Sequence, residues 1–197
     1  MSSTASNEIP QWLRRALCRR YAFVQLGGFH ASELEKGVPR HRRWCWAFAM
    51  FATDEFEVLG AWRTDSGTVE HIIADLRNRG VLSVRVVSIA EALDRGAPLS
   101  VESWATAPRS AEPRVIEVIG SRPLPGAVVE GVSSAAIRSA QSAAGRIHDS
   151  LVRGVRSRAP FPSTEAASEF IAARLQKADR RLYEARRPAR PVLARAA

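Results

Sequence analysis

Hydrophobic and polar positions alternate over the first third of the chain in a pattern that predicts three strands. Residues 21–29 are rich in strand-forming side chains, and residues 44–53 are apolar on both faces, which is typical of a central strand. The polar and basic segment 30–43 between them is expected to be a loop or a hairpin connection. Asp54 and Glu55 predict a turn, after which residues 56–63 form a third strand antiparallel to the second.

The next segment carries the clearest helical signal. Ser66 is a candidate N-cap and Gly80 a C-terminal stop. The apolar positions between them recur at i, i+3, i+4 and i+7: Val69, Ile72, Ile73 and Leu76. Residues 81–89 predict another strand. Because a helix between an antiparallel ribbon and a further strand is a crossover, that strand is expected to join the same sheet. The predicted order is β-β-β-α-β in a mixed α/β fold.

The flanking segments are organised differently. Residues 1–9 are expected to be a disordered lead and residues 10–20 a short basic helix. A short fifth strand is predicted at 114–119, after an irregular stretch. Beyond prolines at 123 and 125 the apolar period becomes helical, which predicts one helix over 128–158 and a second from the Ser163 cap to about residue 187.

Length and composition restrict the class of protein. The chain has 197 residues, which suits one domain or one domain with a helical appendage. Apolar runs far shorter than about 20 residues predict no membrane span. The start MSSTASNEIPQW does not resemble a signal peptide. Cys18 and Cys45 have neither metal-ligand spacing nor disulfide density, so a reducing, cytoplasmic compartment is expected.

The formal net charge is +9, and all but two of the 29 basic residues are arginine. One interpretation is a GC-rich genome; the other is contact with phosphate, which arginine binds in a bidentate manner. The candidate DNA-binding residues lie in three clusters: Arg14, Arg15, Arg19 and Arg20; Arg40, Arg42 and Arg43; and Arg180, Arg181, Arg186 and Arg187. If functional, these clusters predict backbone contacts of low sequence specificity and steep salt dependence.

Other candidate chemistry is sparse. The four histidines, at 30, 41, 71 and 148, show no metal-ligand spacing, so each is interpreted as a surface or packing residue. No nucleophile-elbow or phosphate-loop motif occurs. Trp44 and Trp46 share one face of a predicted strand, where core packing is favoured over stacking on bases.

Two motifs at one compatible spacing carry a family resemblance. Residues 57–62 read EVLGAW and residues 75–81 read DLRNRGV. The segment 56–81 that contains them resembles bacterial mutator-type insertion-sequence transposases, and weaker similarity extends over residues 21–187. The resemblance implies an RNase H-like mixed sheet followed by a helical C-terminal region. It divides the chain into a basic N-terminal lead and helix (1–20), an RNase H-like core (21–122), a helical region (123–187) and a disordered basic tail (188–197).

The chain departs from that family in its catalytic residues. Such transposases hold two divalent metal ions with two aspartates and a glutamate. Matching the strands places Gln25 and Ala90 at the two aspartate positions, and no clear equivalent of the glutamate follows. Glu91 and Asp94 are weak substitutes, and solvated loop carboxylates are the simpler interpretation of both. Neither a catalytic residue nor a metal ligand is therefore assigned, and Mg²⁺ is expected only if activity is retained.

The resulting expectation is a transposase-like protein related to DNA transposition that has lost catalysis. It is expected to act as a DNA-binding or regulatory factor, or to persist as a mobile-element remnant. One alternative is a protein-interaction module whose helical pair at 128–187 packs against an active transposase or a second copy. Another is residual metal-dependent cleavage that Glu91→Gln abolishes. No membrane partner is expected.

Overall fold

A computed structural model of the chain describes residues 11–64, 69–89, 115–119 and 132–186. Within these residues a five-stranded sheet has the order β3-β2-β1-β4-β5, which confirms the mixed α/β class. The strands are β1 (Arg20–Glu35), β2 (Val38–Met50), β3 (Phe56–Arg63), β4 (Ser83–Ile89) and β5 (Val115–Ile119). The helices are α1 (Val69–Asn78), α2 (Ser134–Arg158) and α3 (Thr164–Arg186). Strands β1, β2 and β3 pair antiparallel, whereas β4 is parallel to both β1 and β5.

The hairpin of β1 and β2 is longer than predicted, and the expected loop over 30–43 is wrong. β1 continues to Glu35 and β2 starts at Val38. The chain reverses at Lys36 and Gly37, whose φ angles of 51° and 80° suit a tight two-residue turn. Polar composition does not exclude a strand here, because the ladder bonds satisfy the backbone.

The predicted helix over 10–20 is also wrong, since only residues 11–14 of the described chain are helical. The following residues form backbone bonds to other elements. The Leu17 amide donates to the Arg79 carbonyl at 2.7 Å, and the Arg19 carbonyl accepts from the Leu82 amide at 2.9 Å. These contacts require an extended path that a helix cannot follow.

Strand β3 has the predicted bounds, and α1 buries the predicted residues Ile72, Ile73 and Leu76. The candidate cap Ser66 lies outside the described residues. Gly80 has a φ of 105°, a left-handed conformation that favours glycine beyond a helix end. The crossover prediction is confirmed, because β4 joins the same sheet in parallel with β1.

Each face of the sheet packs against helices. One hydrophobic cluster places α1 residues against Val24, Leu26 and Cys45. The opposite cluster joins Phe23, Trp46 and Phe48 to the apolar sides of α2 and α3 and to Trp12, a residue that precedes the sheet. The side chain of Ser133 caps α2, and that of Ser163 accepts from the Ala166 amide at the start of α3.

Strand β3 lies at one side of the sheet, beyond β2. Val58, near the start of this strand, binds side chains there through both its amide and its carbonyl. The Val58 amide donates to Asp179 Oδ1 at 2.8 Å, and the Val58 carbonyl accepts from Arg15 Nη2. The Asp179 bond anchors α3 at the outer edge of β3, and the Arg15 bond attaches the segment before β1 to the same edge.

Candidate nucleic-acid interface

The start of β1, the end of β2 and the starts of β3 and β4 lie at the same end of the sheet. The register pairs Arg20 with Ser83, Phe23 with Met50, and Met50 with Phe56. Asp179, in the second half of α3, binds the Val58 amide close to the start of β3, so the C-terminal half of α3 lies at this end too.

A polar network attaches the segment before β1 to α3. Trp12 Nε1 donates to Asp179 Oδ2 at 3.1 Å. Arg15 Nη2 lies 3.4 Å from the same oxygen and 3.0 Å from Glu57 Oε1. The Arg15 guanidinium also sits 4.6 Å from the centre of the Trp12 ring, a favourable cation–π position. The network therefore brings together two basic segments that are far apart in the sequence.

Six basic side chains are exposed on these two segments: Arg14, Arg19, Arg20, Lys177, Arg180 and Arg181. We call this set the basic end. The exposed carboxylates of the same end, among the residues described, are fewer: Asp54 and Glu55 in the β2–β3 turn, and Glu184 on α3. Even with Arg15, Glu57 and Asp179 of the network included, the described residues of this end carry more basic than acidic side chains, which favours a polyanionic partner.

Four of the candidate arginines do not belong to the basic end. Arg15 is held inside the network just described, so its donors are directed at protein carboxylates. Arg40, Arg42 and Arg43 lie on the hairpin arm at the opposite end of β2, where Arg42 binds Glu35. At about 3.3 Å per residue, this arm lies roughly 40 Å along the sheet from the start of β1. The side chain of Arg186 and all of Arg187 lie outside the described residues.

Gln25 lies in the middle of β1, paired with Phe48 on one side and with Ser88 on the other. Its Oε1 atom is buried and has no hydrogen-bond partner among the described residues. Ala90, Glu91 and Asp94 lie outside those residues. Within residues 11–64, 69–89, 115–119 and 132–186, no three His, Cys, Asp or Glu side chains form a group suited to a metal ion.

Trp44 and Trp46 are buried in the core, as predicted. Trp46 Nε1 donates to His148 Nδ1 at 3.2 Å, and the two rings stack. Burial lowers the pKa of His148 from its ordinary value, and nearby Asp149 opposes that shift. The interpretation of His148 as a packing residue is confirmed. His30, His41 and His71 are exposed.

Sequence reasoning missed the carboxylates of the network. Glu57 accepts from the Tyr21 hydroxyl at 2.8 Å as well as from Arg15. Burial raises the pKa of Tyr21, and the charge of Glu57 raises it further, so this hydroxyl remains a donor. One signal was available for Asp179, which stands at helical spacing between Leu175 and Leu182 on the inward stripe of α3. A carboxylate on an apolar stripe indicates a buried partner.

No protein-family model matches the chain, and a search of curated proteins finds no significant match. Among the described residues, no helix is long and apolar enough to cross a membrane.

Proposed function

We propose that the chain is a mutator-type transposase-like protein with an RNase H-like scaffold, which binds DNA through the basic end and does not cleave it. The observation that carries the proposal is the register of β1 and β4. Gln25 and Ala90 correspond to the two metal-binding aspartates only through the sequence resemblance. In the sheet, Gln25 pairs with Ser88, two residues before Ala90. The resemblance thus places the second ligand position directly after β4 in the sequence, and β4 is the parallel neighbour of the strand that carries Gln25, which is the arrangement that a shared metal site requires.

The strand order supports the same proposal. In a mixed sheet ordered β3-β2-β1-β4-β5, β2 alone runs opposite to the other four strands, and β1 and β4 lie side by side. The helix α1 connects the antiparallel part of the sheet to the parallel part. This strand arrangement supports the RNase H-like scaffold that the resemblance implies, and it does not depend on the motifs at 57–62 and 75–81.

The proposed loss of cleavage follows from ligand chemistry. Two-metal phosphoryl transfer requires anionic oxygen ligands that neutralise two divalent ions. Gln25 offers a neutral amide oxygen and Ala90 offers no ligand atom. These residues do not fit a two-metal site, so we derive no catalytic step from them.

The proposed DNA contact rests on the basic end. Its six side chains come from two segments that the Trp12–Asp179 bond joins. Arginine and lysine side chains on a common surface neutralise phosphates without reading bases, so the affinity is expected to be weakly sequence-dependent. The hairpin arm, which carries Arg40, is a separate surface and is left unchanged in both variants of the test.

The test compares two variants that remove the same number of charges. In the first, Arg14, Arg19, Arg180 and Arg181 are each replaced by glutamine. In the matched control, the replacements are made at four exposed arginines of α2: Arg138, Arg153, Arg156 and Arg158. Affinity for a fluorescently labelled duplex is measured by anisotropy over a series of salt concentrations.

If the four side chains of the first variant each contact a phosphate, the slope of log affinity against log salt falls in magnitude by about 3.6, at about 0.9 per contact. The α2 control is expected to keep the wild-type slope. Equal losses in both variants would reduce the effect to net charge and refute the basic end as an interface. Absence of duplex binding at low salt would refute DNA binding and favour the interaction-module alternative.

Cleavage is tested on the same samples. We expect intact DNA on a denaturing gel after incubation with Mg²⁺ or Mn²⁺. Nicked products would contradict the proposed loss of catalysis, and their disappearance in Glu91→Gln would assign the metal ligand to the segment after β4.

A further inference from the structure

A groove lies between the helices α2 and α3. Its volume is about 220 Å³, below the 300–1,000 Å³ or so that is usual for drug-sized ligands, so a ligand held there must be small. Apolar and basic side chains of both helices line it, among them Ile147, Leu151, Leu175, Arg146, Arg174 and Arg181. We call it the helical groove.

The charge of the helical groove has a single sign. Arg146 reaches it from α2, and Arg174 and Arg181 reach it from α3. Within the part of the chain that the structure describes, no carboxylate lines the groove and none forms an ion pair with these three side chains. A cleft lined by one sign of charge focuses the electrostatic field, so the groove favours an anion.

The guanidinium of Arg174 is held in position by both helices. Its Cζ atom lies 5.4 Å from the centre of the Phe170 ring, in a cation–π position. A Cβ atom added to Gly154 of α2 would lie 2.5 Å from the same Cζ, so the glycine leaves the space that this guanidinium occupies. Stacking on a ring uses the face of the guanidinium and leaves its N–H edge for a bidentate contact with an oxyanion.

Arg146 is oriented as well. Its Nη1 atom donates to Ser142 Oγ at 2.9 Å, one turn earlier in α2. A guanidinium has five N–H donors, so this bond leaves most of them for a ligand.

The floor of the helical groove is apolar. Leu151 and Leu175 are buried, and Ile147 is half-buried beside them. A cavity of about 150 Å³ is large enough for benzene, so the groove has room for a ring-sized body in addition to a small anionic group. The arrangement therefore fits an anion that carries an apolar body better than an inorganic ion.

We propose that the helical groove binds a phosphate monoester, with the phosphate among Arg146, Arg174 and Arg181 and the organic body against Leu151 and Leu175. A phosphate monoester carries nearly two negative charges at neutral pH and has three acceptor oxygens, which three guanidinium groups match better than they match the single charge of a carboxylate. The same chemical group occurs in small metabolites and at the 5′-phosphorylated end of a DNA strand. This inference goes beyond the proposed function and does not depend on it.

Isothermal titration calorimetry at low salt compares phenyl phosphate with benzoate, which has the same ring and one negative charge. Phenyl phosphate is expected to bind with a dissociation constant below about 1 mM, a modest affinity for a ligand of this size. Benzoate is expected to bind at least about tenfold more weakly, because it offers fewer charge-assisted hydrogen bonds. Inorganic phosphate lacks the ring and is also expected to bind more weakly than phenyl phosphate.

Three variants test the position of the phosphate. Arg174→Gln removes one charge and is expected to weaken phenyl phosphate binding at least about tenfold. Gly154→Ala keeps all three charges but displaces the Arg174 guanidinium, so it is expected to weaken binding at least about threefold. Gly145→Ala is the matched control, because it makes the same change in the same helix where the added Cβ meets open space, and it is expected to leave the affinity unchanged. Circular dichroism establishes that each variant is folded.

The source of the phosphate is decided with two duplexes of about 12 base pairs, one with 5′-phosphate ends and one with 5′-hydroxyl ends. Tighter binding of the phosphorylated duplex that Arg174→Gln abolishes would support the inference and identify the ligand as a DNA end. Equal binding of the two duplexes, with phenyl phosphate still preferred over benzoate, would support a small phosphate monoester.

The inference is overturned if neither phenyl phosphate nor the phosphorylated duplex binds better than its matched probe. It is also overturned if Arg174→Gln leaves these preferences unchanged. The proposed function is judged separately, because neither four-arginine variant of the duplex test contains Arg174.

Discussion

Because Gly27 lies very close to Trp46, the substitution Gly27→Ala tests how tightly this part of the core is packed. A Cβ atom added to Gly27 would lie 2.4 Å from Trp46 Nε1 and 3.1 Å from Cδ1. The indole is 1% exposed, so the surrounding core leaves little room for it to move. Gly27 lies in β1 and does not adopt a positive φ angle, so the backbone itself tolerates alanine. The expected effect of Gly27→Ala is therefore a packing effect.

The magnitude follows from three contributions. Overpacking of a close-packed core costs about 1–3 kcal/mol. A displaced indole also loses its 3.2 Å bond to His148, which is worth about 0.5–1.5 kcal/mol. The lower entropy of the unfolded chain offsets about 0.4–1 kcal/mol. We expect Gly27→Ala to lower the free energy of unfolding by about 0.5–4 kcal/mol.

Urea denaturation followed by circular dichroism measures this change, and Gly145→Ala provides the matched control. Gly145 lies within α2, and among the described residues no atom outside the adjoining helix backbone lies within 4 Å of its added Cβ. That substitution is expected to raise the free energy of unfolding by up to about 1 kcal/mol, because alanine is the better helix former. The same chemical change thus has opposite signs at the two sites.

Gly27→Ala with unchanged or increased stability would refute the reasoning. A double-mutant cycle provides a further check. In a Trp46→Phe background, which lacks Nε1, Gly27→Ala should lower the free energy of unfolding less than it does in the wild type. The reason is that Trp46→Phe has already removed both the clashing atom and the bond to His148. Strict additivity would show that the strain arises elsewhere.

Three further predictions concern titratable groups. Burial lowers the pKa of His148, so near this pKa the unfolded chain binds more protons than the folded one. The free energy of unfolding should therefore fall as the pH drops below about 6.5, and this loss should vanish in His148→Phe. Urea midpoints measured across pH check both. Asp179→Ala leaves two donors unsatisfied and should lower the free energy of unfolding by about 2–3 kcal/mol. Glu184→Ala removes an exposed carboxylate and should lower it by less than about 0.5 kcal/mol, so equal effects would contradict the network. Burial raises the pKa of Cys45 to about 12, so in native protein at neutral pH an alkylating reagent should label exposed Cys18 alone, as read by mass spectrometry.

The elements predicted best are those whose burial pattern has a single period. The stripe of Ile72, Ile73 and Leu76 specifies α1 because one side of the helix packs against the sheet. The hairpin arm was missed because its stability comes from backbone pairing, while its composition is that of a loop. Only Ala31 and Glu33 are buried on β1 beyond residue 30, too few to show an alternating pattern.

The sequence predicted the charge of the candidate interface but not which basic residues lie together in it. Exposure of Arg14, Arg180 and Arg181 follows from composition, since unpaired arginines seldom lie in a core. That these residues meet at one end depends on the bond between Trp12 and Asp179, which are 167 positions apart. No local pattern encodes such a contact, and the same holds for Arg15, which the sequence groups with its exposed neighbours.

The bonds that Arg15 and Asp179 make to Val58 have a consequence for association between chains. An outer strand whose amides and carbonyls are unbonded is a template on which another molecule can add a strand. Here the Val58 position of β3 is already occupied, by a guanidinium from 43 residues upstream and a carboxylate from 121 residues downstream. During synthesis β3 emerges well before Asp179, so the growing chain carries an open strand edge until α3 is made. Protection against aggregation is therefore completed late, and truncation before α3 would leave that edge exposed.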